Sequence, residues 1–397
     1  MNRGVYVLAL ATFVTGTVEL VIAGILDMIA KDLDVSLGTA GLLVSVYSLV
    51  FAFGTPVFST LTSKAERRKL LIAAMLVFIA GNIISVASPN FAVLLAARVI
   101  IAASCSVVVV NCLVLAANIV APEVVGRAMG LVFMGISASL VLGVPMGTAI
   151  AELLGWRMTF VLVAALSLIA LLGIVRFLPK VPPQPAHPLG RQLAALKSAK
   201  IISAQLMVAF MLIGHFTMYT YLTPFLQATM GLSANMISLV FLVFGIAGVA
   251  GGWIGGWSAD KFGGARTFLL ILILFAVSLS LLPYAASSWI YLLIVVPLWG
   301  ALAFAPAAPV QSYLIKSAPE SADIQISLFT SFMHIGIAIG SAVGGVVVNH
   351  YPVVTNAWAG SLLAFLAFLF AVYSVTRRGK SGEPSLKAAA GSGPNAG

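Results

Sequence analysis

The sequence predicts an all-α integral membrane protein of twelve transmembrane helices in two six-helix bundles. Three observations predict it. Of 397 residues, 61% are hydrophobic and only 8% charged, with a mean hydropathy of +1.13. A soluble domain carries about 25% charged residues, so this chain has too little charge to remain a globule in water and too little polarity to be disordered. Apolar runs of crossing length, about 20 residues for a hydrocarbon core of about 30 Å, recur along its whole length. Basic residues gather in alternate links between those runs, as in loops retained in the cytoplasm.

The first run, 5–26, follows Arg3 and is flanked like a secretory signal peptide. It is too long for one and further spans follow, so it reads as an uncleaved first helix. The second, 39–61, leads into a loop with Lys64, Arg67, Arg68 and Lys69. The spans 70–88 and 91–120 follow, then 127–150, opened by Arg127, and 158–178, preceded by Arg157. Arg176, Lys180, Arg191, Lys197 and Lys200 fall between the sixth and seventh runs. The remaining spans are 201–226, 237–257, 267–286, 289–315, 324–348 and 357–375. Lys261, Arg266 and Lys316 lie in their near-side loops, and Arg377, Arg378, Lys380 and Lys387 follow the last. Only Lys31 and Arg157 lie on the far side. Both termini are therefore expected in the cytoplasm. The net charge of +10 is mostly topology, and its scatter over short loops argues against a nucleic-acid partner.

The longest polar interruption, "LPKVPPQPAHPLGRQLAALKSAK", is rich in proline and basic residues and reads as a linker. The expected organisation is a bundle over 1–178, a cytoplasmic linker over 179–199, a second bundle over 200–376 and a disordered cytoplasmic tail over 377–397. The halves read as copies. "APE" recurs at Ala121 to Glu123 and Ala318 to Glu320, and the same offset maps Gly143 onto Gly340, Gly147 onto Gly344 and Ser63 onto Asp260. Parallel six-span repeats are an architecture of transporters whose bundles rock around a midplane site.

On these residues the whole chain resembles the major facilitator superfamily, and within it the drug:proton antiporter group. "GGWSADKFGGAR" is similar to that superfamily's signature loop between the second and third helices of a half, with Gly256, Asp260 and Gly263 in place. In the first half Ser63 replaces the acid and Glu66 a glycine, so the resemblance assigns a gating charge to Asp260. "GVPMGTAIAELLGWRMTF" resembles the antiporter motif of the fifth helix. Its Gly143, Pro145 and Gly147 are expected to allow close helix approach and a bend. More narrowly, "IGHFTMYTYLTPFL" and "PAAPVQSYLIKSAPESADIQIS" resemble bacterial purine base and ribonucleoside efflux pumps, with sugar efflux proteins as near relatives.

Glu19, in "VTGTVELVIAG", is the acid placed well inside a span; the others fall in expected loops, tail or helix ends. An uncompensated charge at the bilayer centre costs roughly 3 kcal/mol on insertion scales, so such residues are functional candidates. Burial raises a carboxylate's pKa and a nearby cation lowers it, which can poise the group to exchange a proton. Arg98, in the fourth span, lies at matching depth, and the resemblance implies that both line the first bundle's cavity. The expected proton-coupling set is Glu19 with Arg98; the alternative is a static pair pinning two helices.

In the second half His215 and His334 lie mid-span, able to titrate near neutral pH, to contact substrate or to pack. Tyr219 and Tyr221 supply flat faces with a polar tip, suited to a planar heterocycle. At i, i+2 they cannot both face one cavity. Asn111 and Gln311 could read base edges or bond neighbouring helices. Substrate contact is thus expected of Asn111, His215, Tyr219, Tyr221, Gln311 and His334.

Cys105 and Cys112, seven apart on one helix, are about 10.5 Å apart in rise, beyond disulfide reach. No metal site is expected without a Cys/His cluster, and no cofactor, since the nucleotide and nucleophile motifs GxxxxGK[ST] and GxSxG are missing. The expectation is a non-enzymatic, monomeric, multi-pass transporter of the bacterial cytoplasmic membrane, with protons, the lipid bilayer and a small-molecule substrate as its partners. The resemblance points to proton-coupled efflux of purine bases or nucleosides. Sugars or hydrophobic drugs are the alternative cargo, and a membrane-embedded enzyme or receptor a distant third.

Overall fold

A computed structural model describes residues 2–183 and 196–377. Residues 184–195 of the expected linker and 378–397 of the expected tail lie outside the described residues. Among the described residues, twelve helices are long and apolar enough to span a membrane: α1 (Arg3–Leu20), α2 (Leu37–Phe58), α3 (Arg67–Val86), α4 (Phe91–Asn118), α5 (Val125–Leu154), α6 (Arg157–Phe177), α7 (Ala199–Tyr219), α8 (Ala234–Phe262), α9 (Gly264–Ala285), α10 (Trp289–Ser317), α11 (Ile324–His350) and α12 (Thr355–Thr376). In lipid a backbone must satisfy its own polar groups, so each apolar run has little choice but to be helical. Asn2, Ser36, Asn90 and Ser288 start α1, α2, α4 and α10 by accepting N–H groups of Gly4, Thr39, Val93 and Ile290, the usual N-cap bond. Gly155 and Gly263, at φ +88° and +87°, end α5 and α8 in backbone that other residues rarely adopt.

Three expected single helices are broken, the tenth span among them, which stops at Phe304 and resumes as Ala307–Ser317. α1 stops at Leu20 and resumes after Val21 as Ile22–Asp32; α7 stops at Tyr219 and resumes as Leu222–Met230. Asp27 and Asp32, expected at a helix end or loop, are therefore helical. In α5 a π turn at Ser139–Gly143 sends the Val144 N–H back to Ser139 O. It ends two residues before Pro145, which has no N–H to keep the regular ladder.

Within the first half α1 packs on α4, α5 and α6, and α4 on α2 and α3. Within the second, α7 packs on α11 and α12, and α10 on α8 and α9. Small residues bring α5 onto α1: a Cβ on Gly135, Gly143 or Gly147 would lie 2.2, 2.2 or 2.3 Å from Ala9 O, Thr17 Oγ1 or Val21 Cγ2. α11 repeats the device on α7, where Gly336, Gly340 and Gly344 would meet the carbonyls of Ala209, Ile213 and Thr217 at 2.5, 2.5 and 2.6 Å. Such stripes drive helix association in lipid, where apolar burial itself gives no preference. The matching glycines of the two halves thus serve matching contacts.

Candidate functional site at the seam between the halves

The halves meet along α2 with α11, along α5 with α8, and where the continuation of α1 touches that of α7. Their hydrogen bonds concentrate at the end of the bundle opposite the described chain ends. There Gly38 N–H donates to Asn349 Oδ1 (3.1 Å), Ser341 Oγ to Gly41 O (3.0 Å) and Thr223 Oγ1 to Ala23 O (2.9 Å). Thr148 and Ser238 bond through their hydroxyls at 2.7 Å. Tyr221 belongs to this closure: its hydroxyl donates to Ser341 O at 2.9 Å and its ring fills the notch left by Gly41, Gly344 and Gly345. Asp27 does too, although the sequence placed it at a helix end. It is only 6% exposed, accepts from Gln227 Nε2 at 2.9 Å, and has Lys31 Nζ 3.8 Å away. Its other oxygen is buried without a partner. A cavity of about 530 Å³ opens beside Asp27, Lys31, Asp34 and Gln227.

Deeper in, Glu19 is half-buried, and its Oε1 lies 3.3 Å from Nε2 of His334, which is 4% exposed. This overturns the expected pairing of Glu19 with Arg98. The fully buried Arg98 instead donates from Nη1 to Val18 O (2.9 Å) and from Nε to Leu43 O (3.3 Å), and its guanidinium lies 4.3 Å from the centre of the Tyr47 ring. The physical reason is the break in α1. Carbonyls in a helix's last turn lack an intrahelical donor, Val18 is in that turn, and the guanidinium meets this demand. Arg98 therefore ties α4 to α1 and α2 through backbone. Glu19 is left facing α11.

His334 is fixed on two further sides. Its ring stacks on Phe51 of α2, centroids 4.0 Å apart and planes 7° apart. Its Nδ1 lies 3.0 Å from Thr330 O, and since a carbonyl only accepts, Nδ1 carries a proton. One turn away Ser331 donates to Ala52 O at 3.2 Å, binding the same two helices.

The remaining candidates lie apart from this pair. His215 and Tyr219 stack in the core of the second half, centroids 5.2 Å apart, within an aromatic box completed by Phe244, Phe275 and Trp299. His215 Nδ1, Tyr219 Oη and Trp299 Nε1 are all buried without hydrogen-bond partners. Tyr219 and Tyr221 thus occupy different environments. Asn111 is buried and donates to Val107 O of its own helix at 2.8 Å, leaving Oδ1 unpartnered. Gln311 is half-buried on α10, and Asp260 is exposed in the last turn of α8. Cys105 and Cys112 are free and buried.

The major facilitator superfamily model matches residues 8–324 and, again, 208–394. This chain belongs to the major facilitator superfamily. Among its relatives, the uncharacterized MFS-type transporter YbcL of Bacillus subtilis (strain 168) is 37% identical over 365 residues, 92% of this chain and 94% of the relative. The MFS-type transporter YtbD of the same organism is 32% identical over 372 residues, with the same shares covered. A bacterial homologue of the human lysosomal transporter Spinster has the same fold. Its inward-facing, occupied structure superposes with a TM-score of 0.74 at 16% identity, covering 94% of this chain and 96% of that one. Its inward-facing, unoccupied structure gives 0.72 at 15% identity.

The protein is therefore a multi-pass membrane transporter of this superfamily and not an enzyme. In a facilitator-superfamily transporter the two halves move against each other, so seam groups act differently from groups inside one half. Glu19, Phe51 and His334 join the halves, whereas Arg98 holds the first half together and the aromatic box the second. Phe51, Asp27 and Gln227 are among the seam residues missed in sequence. Asp27 carried a weak signal, an acid flanked by Ile25, Leu26, Met28 and Ile29.

Proposed function

We propose that this transporter exports purine bases or nucleosides in exchange for protons by alternating access, in the bacterial cytoplasmic membrane with both termini in the cytoplasm. The observation that carries the reading is an ionisable contact, Glu19 to His334, at the seam where the halves must part. A proton bound there changes the attraction between the halves, which is the physical requirement for coupling. With the termini inside, the closed end faces outwards. Asp260 then lies at the cytoplasmic end, where the resemblance assigns it a gating role.

Purine cargo is supported by the local sequence resemblances. Labelled hypoxanthine flux in proteoliposomes, with and without an imposed pH gradient, tests the whole reading. Uphill flux driven by the gradient and lost in Glu19→Gln is the expected result. Flux of a sugar or hydrophobic drug, with none of hypoxanthine, would reject the cargo and keep the coupling. An unchanged pH dependence in Glu19→Gln would reject Glu19 as the coupling group.

A further inference from the structure

Thr330 O holds a proton on His334 Nδ1, so in a neutral ring Nε2, 3.3 Å from Glu19 Oε1, carries a bare lone pair. An ionised Glu19 also offers only lone pairs. Two acceptors 3.3 Å apart repel, and the contact is favourable only with a proton between them, as imidazolium with carboxylate or imidazole with carboxylic acid. The contact is not yet an aligned hydrogen bond, so the geometry leaves room for the groups to draw together or separate. We propose that His334 is the second proton carrier, that one proton shared between Glu19 and His334 latches the halves, and that its loss leaves a two-acceptor cleft for a ligand bearing N–H donors.

This proposal rests on the proton-coupled reading above and reassigns His334 within it. The proton leaves from between Oε1 and Nε2 to solvent on the terminal side. An N–H donor of the ligand then enters the same gap, so proton and ligand exclude each other, as antiport requires. Other ionisable groups facing Glu19 are few among the described residues. Arg98 and Cys105 of α4 and Tyr47 of α2 interact with it electrostatically, and Arg98 gives Nε and Nη1 to backbone carbonyls while its Nη2 has no hydrogen-bond partner among the described residues. The Phe51 face beside His334 carries no charge.

The test has one arm free of any substrate. Infrared titration of the lipid-reconstituted protein follows the carboxylic-acid C=O band that is missing in Glu19→Gln. In His334→Gln its midpoint is expected to move, because the partner that shares the proton is gone. An unmoved midpoint overturns the proposal. If His334→Gln does not fold, ¹⁵N-histidine NMR of the wild-type protein decides: Nδ1 of His334 stays protonated while Nε2 titrates, and a neutral ring protonated on Nε2 instead overturns it. In the second arm, hypoxanthine added to weakly buffered wild-type protein is expected to release about one proton per molecule bound. Binding without release overturns the shared site. No hypoxanthine binding rejects the purine reading alone, and the infrared arm then decides the proton pair.

Discussion

Gly245, on α8, faces α5 across the seam; a Cβ there would lie 2.8 Å from Leu140 O, 2.9 Å from Val141 Cα and 3.1 Å from Leu140 C. All three are backbone atoms, so no side chain can swing aside. In Gly245→Ala the helices must separate, and overpacking of this kind costs about 1–3 kcal/mol. Gly252, on the same helix, has open space where its Cβ would be. Gly252→Ala therefore shares the roughly 0.5–1 kcal/mol gain of Gly→Ala in a helix without the overlap, and the difference between the two variants isolates the clash. The overlap exists only while the seam is closed. The penalty therefore falls on this conformer and shifts the closed-to-open ratio by about 5- to 150-fold. Spin labels on Glu152→Cys and Ser287→Cys, exposed positions near the closed end of opposite halves, read that ratio as a distance distribution. The two native cysteines are buried and will not compete for label. Gly245→Ala should gain a longer-distance population and Gly252→Ala should match the parent. Identical distributions for both, with both proteins folded, would refute the seam geometry.

Three further outcomes follow from the same contacts. Asp27→Ala removes the acceptor for Gln227; a charged hydrogen bond contributes about 1.5–3 kcal/mol, so the same label pair should report opening, and an unchanged distribution would deny Asp27 a role in closure. Arg98→Ala leaves the Val18 and Leu43 carbonyls without their donor and should lower stability by about 3 kcal/mol or more, with Arg98→Lys intermediate because one ammonium cannot reproduce the fork; thermal unfolding in detergent checks this, and wild-type stability in Arg98→Ala would exclude the tie. At the bundle end, hydrogen bonds from Arg157 and Trp156 hold the Asp32 carboxyl below its ordinary pKa. Its stabilisation is present above the unfolded carboxylate's pKa, about 3.9, and is lost as pH falls through the lower folded value. Because both partners are partly exposed, the effect is no more than about 1 kcal/mol, so wild type and Arg157→Gln should differ slightly at pH 7, equally at pH 5, and converge only below about pH 4; a gap unchanged at pH 3 would contradict the pairing.

The twelve spans were legible because lipid leaves an apolar run one way to satisfy its backbone, and that demand is written in composition alone. The repeat was legible too, since Gly143 and Gly147 recur as Gly340 and Gly344 and small residues are what close helix contact in lipid needs. Depth was legible, because rise per residue is constant: Glu19 and Arg98 do share a level, bridged through Val18 O. Azimuth was not. Which way a side chain points depends on where its helix breaks and which neighbour packs there. The interruption after Leu20 gave Arg98 a carbonyl to hold and left Glu19 to a histidine of the other half. The same break carried Asp27 into the seam, against the expectation of a helix end. A sequence read span by span specifies what each helix can offer; the partners were decided only when two bundles were laid against each other, because contact between them is set by packing and not by chain order.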